Sequence, residues 1–225
     1  MQKSVVTGIL GLVVGLIGGF IGANSLNRNY AAQQSAQSAT TATAISAEQS
    51  PGVSSQPLPD VSEMLKAAES EPQNFAVQMR TGDMYAKIGR FEKAIEFYKK
   101  GLTIRPEDFN ANVVIANAYF DSGAFEKAAE HYSKALTVNP DDVNARTDLG
   151  ATFVERPIPD YDRAIKEFQT TLSADPKHAP SLYYLGVAQF RKGDTAAAQE
   201  TLSRLEQTDP NSALVERLRQ NLAAN

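Results

Sequence analysis

Cysteine is missing from all 225 residues, and histidine occurs only twice. The first absence removes disulfides, thiolate nucleophiles, cysteine-held metals and a lipoprotein-type acceptor, yet suits an oxidising compartment as well as a reducing one. The second leaves His131 and His178 distant in sequence, with no ligating partner beside either. A histidine-based metal site needs three or four converging ligands, so no metal is expected. The chain also lacks a glycine loop able to cradle a phosphate, and no serine, lysine or histidine stands in a nucleophile motif. Asp141 and Asp142 follow a helix-ending proline and read as caps of the next helix rather than as an acid–base pair. No cofactor and no catalysis are expected. A strong positive charge is lacking too. The formal net charge is -4, and because residues 1–59 carry only Lys3, Arg28 and Glu48, a net +1, the remainder carries -5. That balance argues against nucleic acid as a partner.

Charge is absent altogether from residues 5–23, an apolar run long enough to cross about 30 Å of hydrocarbon as a helix. The reading is a single transmembrane anchor within residues 1–28. A cleaved signal peptide is the rival, but its apolar region would span about 7 to 15 residues, and the best cleavage point, after Ala23 with Ile21 two residues before it, is poor. Lys3 and the amino terminus precede the run and Arg28 follows it, a bias that places the amino terminus inside. The rest of the chain would then face the exterior of the cytoplasmic (inner) membrane, the periplasm in a bacterium with two membranes. Gly11, Gly15 and Gly19 form two small-xxx-small steps that could let anchors pack as a homo-oligomer, although glycine is also common in membrane helices generally. Residues 29–59, rich in Ala, Gln, Ser and Thr with Pro51, Pro57 and Pro59, cannot bury enough apolar surface to fold and read as a disordered linker.

From residue 60 the pattern changes to helical periodicity. In residues 109–142, Ile115, Ala116 and Tyr119 share one helical face, and Phe125, Ala128, Tyr132, Ala135 and Leu136 recur at the three-and-four spacing of a second helix. Gly123 separates the two, and Pro140 ends the second. The same spacing returns as Gly82, Tyr85, Gly89, Ala94, Tyr98, Gly101 and Pro106 before it, and as Gly186, Gly193, Ala198, Leu202 and Pro210 near the end. Residues 143–178 keep Leu149, Gly150, Phe153, Ala164, Phe168 and Pro176 but are two residues longer, with Arg156 to Asp160 in place of a short glycine turn. This 34-residue pattern resembles the tetratricopeptide repeat, a helix-turn-helix unit. The resemblance implies an all-α solenoid preceded by one transmembrane helix. The units are 75–108, 109–142, 143–178 and 179–212, with a half unit at 60–74, capped by Asp60 and stopped by Pro72, and a capping helix at 213–222. Helices are predicted over 60–70, 74–88, 91–103, 109–121, 125–138, 143–155, 161–173, 179–192, 195–208 and 213–222.

Each unit alone leaves its apolar face wet, so stability comes from stacking, and function is sought on the concave surface that stacking creates. The resemblance implies that this groove is lined by Met79, Asp83 and Lys87; by Asn110, Val113, Asn117, Phe120 and Asp121; by Asn144, Thr147, Val154 and Glu155; and by Tyr183, Val187, Phe190 and Arg191. Asn117 matches an asparagine that pairs with ligand backbone in many such grooves, whereas Val113 stands where the lysine of the carboxylate-clamp subfamily would be. Phe120, Tyr183 and Phe190 are the expected aromatic anchors, unless the capping helix covers the last two. The function so read is a non-catalytic membrane-tethered scaffold that binds a protein or peptide segment of another cell-envelope protein and assists complex assembly. A self-assembling structural membrane protein is the alternative. The order of anchor, linker and array is also similar to the repeat subunits of bacterial cytochrome c maturation, which would imply an apocytochrome-binding role.

Overall fold

The structure, a computed structural model, describes residues 61–223. The expected anchor at 5–23, its glycine face, the linker and the Asp60 cap lie outside the described residues. Among the described residues ten helices follow one another: α1 (Val61–Ser70), α2 (Phe75–Lys87), α3 (Phe91–Ile104), α4 (Phe109–Asp121), α5 (Phe125–Val138), α6 (Val143–Glu155), α7 (Tyr161–Ala174), α8 (Ala179–Lys192), α9 (Thr195–Thr208) and α10 (Ala213–Ala223). There is no strand among the described residues, and no described helix is long and apolar enough to cross a membrane. Each boundary falls within one residue of its predicted place.

The local chemistry explains that regularity. The first helix of every unit opens on a side-chain cap: Asn74 accepts from the Val77 N–H (3.3 Å), Asp108 from Ala111 (2.9 Å) and Asp142 from Ala145 (2.8 Å). In the fourth unit His178 takes this place, its Nδ1 accepting from the Ser181 N–H (3.3 Å). Such caps satisfy backbone donors that have no partner inside the helix. The first helices of units one, two and four end at Gly89, Gly123 and Gly193, with φ of 72°, 79° and 98°, left-handed values that a side chain would strain.

Within units one and three the two helices close around a glycine facing a ring. A Cβ at Gly82 would fall 2.5 Å from the Tyr98 ring, and one at Gly150 would fall 2.5 Å from Phe168. The first three units are each joined to what precedes them by the fourth residue of their first helix, which reaches back to the turn before it. Gln78 donates to the carbonyls of Ala68 (3.0 Å) and Glu71 (3.3 Å), fastening the half unit α1. Asn112 donates to Pro106 (3.1 Å) and Arg146 to Pro140 (2.7 Å). These bonds engage carbonyls in or just beyond the last turn of the preceding helix, where the helical ladder supplies no donor. Consecutive helices pack along the whole array, and α6 and α8, the first helices of units three and four, also pack directly on each other.

Candidate partner-binding groove

The expected groove divides into two halves with different surfaces. In units one and two, Asp83, Lys87 and Asn110 are exposed, and Met79, Val113 and Asp121 are half-buried. The spacing of Met79, Asp83 and Lys87 sets them in one line along α2. Asp83 accepts a hydrogen bond from the Tyr98 hydroxyl (2.8 Å), which fixes its carboxylate and leaves it at the surface. Met79 turns partly inward, for its sulfur lies 2.5 Å from where a Cβ of Gly101 would be.

Two expected groove residues of α4 belong instead to the packing inside the second unit. Asn117 is only 8 % exposed, and its side-chain oxygen accepts from the buried Tyr132 hydroxyl (2.5 Å). Phe120 is 2 % exposed and meets Phe125 edge-on, with ring centres 5.5 Å apart. The position that faces the groove on a helical wheel is thus turned toward the unit's own second helix.

The second half is closed. Thr147 is fully buried and shares a hydrogen bond with Ser181 (2.6 Å) across the α6–α8 contact, and Val154 and Val187 are buried with it. Asn144 is half-buried and receives a hydrogen bond from His178 Nε2 (3.2 Å). Tyr183 lies beneath α10, where Asn221 donates to its hydroxyl (3.4 Å) and the Arg217 guanidinium sits 6.0 Å from its ring centre. Of the three expected aromatic anchors, only Phe190 keeps part of its ring at the surface. Arg191, exposed, pairs with half-buried Glu155 at 3.1 Å. The two charges therefore meet each other across the unit boundary.

Burial sets the electrostatics here. It pushes the Glu155 carboxyl above the ordinary carboxylate range, and the Arg191 charge offsets that only in part. It also raises the hydroxyls of Tyr183 and, more strongly, Tyr184. Both histidines are held below the usual imidazole range by burial. His131 stacks on Tyr119 and shares a proton with Asn112 Oδ1 (3.1 Å). Since the Asn112 nitrogen already donates to Pro106 and Asp108, its oxygen accepts and His131 Nδ1 carries the hydrogen. Among the described residues no three His, Asp or Glu side chains gather as a metal site.

Sequence reasoning placed His178 in a turn and gave it no partner. The signal that could have found it was the repeat register, which aligns it with Asn74, Asp108 and Asp142.

Comparison with known proteins supports the repeat architecture. Family profiles described as tetratricopeptide repeat match residues 160–222 and 77–108, and one described as TPR repeat matches 116–155. Together they span more than half of the chain. A search of curated proteins finds no match. Among solved structures, MamA 41-end from Desulfovibrio magneticus RS-1 is similar with a TM-score of 0.62 and 19 % identity, covering 68 % of this chain and 85 % of that one. A crystal structure of MamA protein aligns with a TM-score of 0.61 and 22 % identity, covering 68 % and 82 %. Another of MamA gives 0.61 and 21 %, covering 67 % and 86 %. At these identities the likeness is one of fold.

Proposed function

The chain belongs to the tetratricopeptide-repeat proteins, and from that premise we propose that it is a non-catalytic scaffold which binds a segment of another protein along the first helices of its first two units. The observation that supports this choice is the contrast between the two halves of the array. Asp83, Lys87 and Asn110 keep their side chains at the surface with half-buried Met79 and Val113, whereas the equivalent region of units three and four is largely filled by its own packing and by α10. A mixed surface of one carboxylate, one ammonium, one amide and apolar Met79 and Val113 suits a short segment of mixed character better than a uniformly charged polymer.

The apolar run at 5–23 is proposed as the tether, with residues 29–59 as a flexible spacer whose r.m.s. span is roughly 30 Å. The repeats would then work close to the outer surface of the cytoplasmic membrane, in complex assembly within the cell envelope. An apocytochrome segment is one occupant compatible with that layout. Protease added outside the membrane should remove residues 29–225 and leave the anchor; a protected array would overturn this placement.

The groove is tested by capture from solubilised membranes. Proteins recovered with the parent should be lost with the triple variant Lys87→Glu, Asn110→Ala, Val113→Ala and retained with Lys134→Ala, which changes the second-helix side. Equal recovery by a triple variant that melts like the parent would sink the proposal.

A further inference from the structure

Three of the four units cap their first helix with Asn or Asp, and the fourth does so with an imidazole that is 1 % exposed. The bonding around it fixes its protonation state. A backbone N–H can only donate, so the Ser181 N–H aimed at Nδ1 (3.3 Å) makes that nitrogen the lone-pair acceptor. The ring hydrogen therefore sits on Nε2 and is donated to Asn144 Oδ1 (3.2 Å) on the neighbouring unit. Ser181 Oγ lies 2.9 Å from the same Nδ1 and 2.6 Å from Thr147 Oγ1. One neutral ring thus caps α8 and ties it to α6.

We propose that His178 is an acid-sensitive latch between the third and fourth units: a proton on Nδ1 displaces the Ser181 N–H, expels the ring from its buried seat, loosens α8 from α6 and uncovers Asn144 and Thr147. The latch does not depend on what the groove binds. The charged groups facing the ring are Asp142 at the start of α6 and Asp175 at the end of α7. The first turn of α8 has no acidic residue, and its basic residues lie in the last turn. Both carboxylates favour the imidazolium, but each is engaged elsewhere, Asp142 with the Ala145 N–H (2.8 Å) and Asp175 with the Lys177 N–H (3.1 Å). Burial outweighs them and lowers the ring's proton affinity.

The sign follows from linkage. A histidine depressed in the folded state takes up its proton more readily once the joint is open. The contribution is therefore complete above the ordinary value of about 6.5 and is lost as pH falls below it toward the depressed folded value. Within that window the open population rises up to about tenfold per pH unit.

The test is amide exchange of residues 179–187 in the full chain between about pH 7.5 and 5, corrected for the intrinsic pH dependence of exchange, with the acid window set by the ordinary imidazole value. The parent should exchange progressively faster below about 6.5, in the window where the imidazole begins to charge. His178→Asn keeps a cap without a titrating ring and should show no such acceleration, while His131→Asn should follow the parent. Identical pH responses of parent and His178→Asn, or none in either, would overturn the latch. Should His178→Asn fail to fold, the parent decides through nuclear magnetic resonance. A His178 ring that titrates at or above the ordinary value while the Ser181 amide stays unmoved would also overturn it.

Discussion

The Asp160 N–H donates to the Phe153 carbonyl at 2.9 Å, and this bond is the counterpart of three others: Arg90 to Tyr85 (2.9 Å), Ala124 to Tyr119 (2.8 Å) and Asp194 to Gln189 (2.9 Å). Each runs from the residue before a second helix to the same position in the first. The two extra residues of the third unit are thus looped out beneath a conserved closure geometry. Asp160 completes the loop by capping α7 through the Arg163 N–H (3.1 Å) and by pairing with Arg156 (3.2 Å), leaving Ile158 83 % exposed between Pro157 and Pro159. Replacing Arg156–Asp160 by a three-residue glycine turn should therefore leave helix content by circular dichroism unchanged. A loss of a helix's worth of signal would show that the loop itself holds the unit together. Asp160→Ala in the parent should cost about 1 kcal/mol, the usual value of an N-cap.

Gly186 offers a sharper test of packing. A Cβ there would lie 2.7 Å from Leu218 Cδ2, so Gly186→Leu forces α10 off α8. The expected loss is about 1–3 kcal/mol, seen as a lower melting temperature. Adding Leu218→Ala should worsen the variant by less than it worsens the parent, because the clash is relieved. Strict additivity would place the strain elsewhere.

Asn117 and Tyr132 should behave as a coupled pair. Asn117→Ala and Tyr132→Phe each remove one side of a buried hydrogen bond, and the double variant reproduces the Ala and Phe found at the corresponding positions Ala151 and Phe168 of the third unit. A double-mutant cycle by denaturant unfolding should give a coupling of about 1 kcal/mol, with the double variant more stable than the sum of the singles implies. A coupling near zero would mean that the two side chains meet without consequence.

Glu155 gives a pH dependence of known sign. Its folded-state affinity for a proton is raised by burial, so the folded chain takes up that proton before the unfolded chain does. Its contribution to stability therefore grows as pH falls from neutral through the raised value toward the ordinary carboxylate range near about 4.3. Glu155→Gln should remove that gain while costing little at neutral pH, despite the loss of the Arg191 pair. Melting curves from about pH 7 to 4.5 would check it, and a steep loss of stability for Glu155→Gln at neutral pH would show that the ion pair outweighs burial.

The helices were legible because their punctuation is local. Asp108 and Asp142 sit just ahead of a helix, Gly89, Gly123 and Gly193 permit the left-handed residue of a tight turn, and Pro106 and Pro140 follow second helices that have already stopped. Exposure was legible only where a single helix decides it, as at Asp83, Lys87 and Asn110. A helical wheel assigns a face relative to one axis. It could not anticipate that Tyr132 would draw Asn117 inward, that Ser181 would cover Thr147 from a unit away, or that α10 would lie over Tyr183. Those burials depend on residues 15, 34 and 38 positions distant, and the spacing of one helix carries no record of them.

The direct packing of α6 on α8 has a mechanical meaning. A stack that flexes does so at its most compliant joint, and α2 and α4 share no comparable contact. Changes of curvature should accordingly concentrate ahead of the third unit, at the α2–α4 and α4–α6 joints, while the last two units hold a fixed shape around Thr147, His178 and Ser181. The stretch ahead of the third unit is also where Asp83, Lys87 and Asn110 are exposed, so widening or narrowing there would adjust the spacing between Lys87 and Asn110 without disturbing the rest of the array.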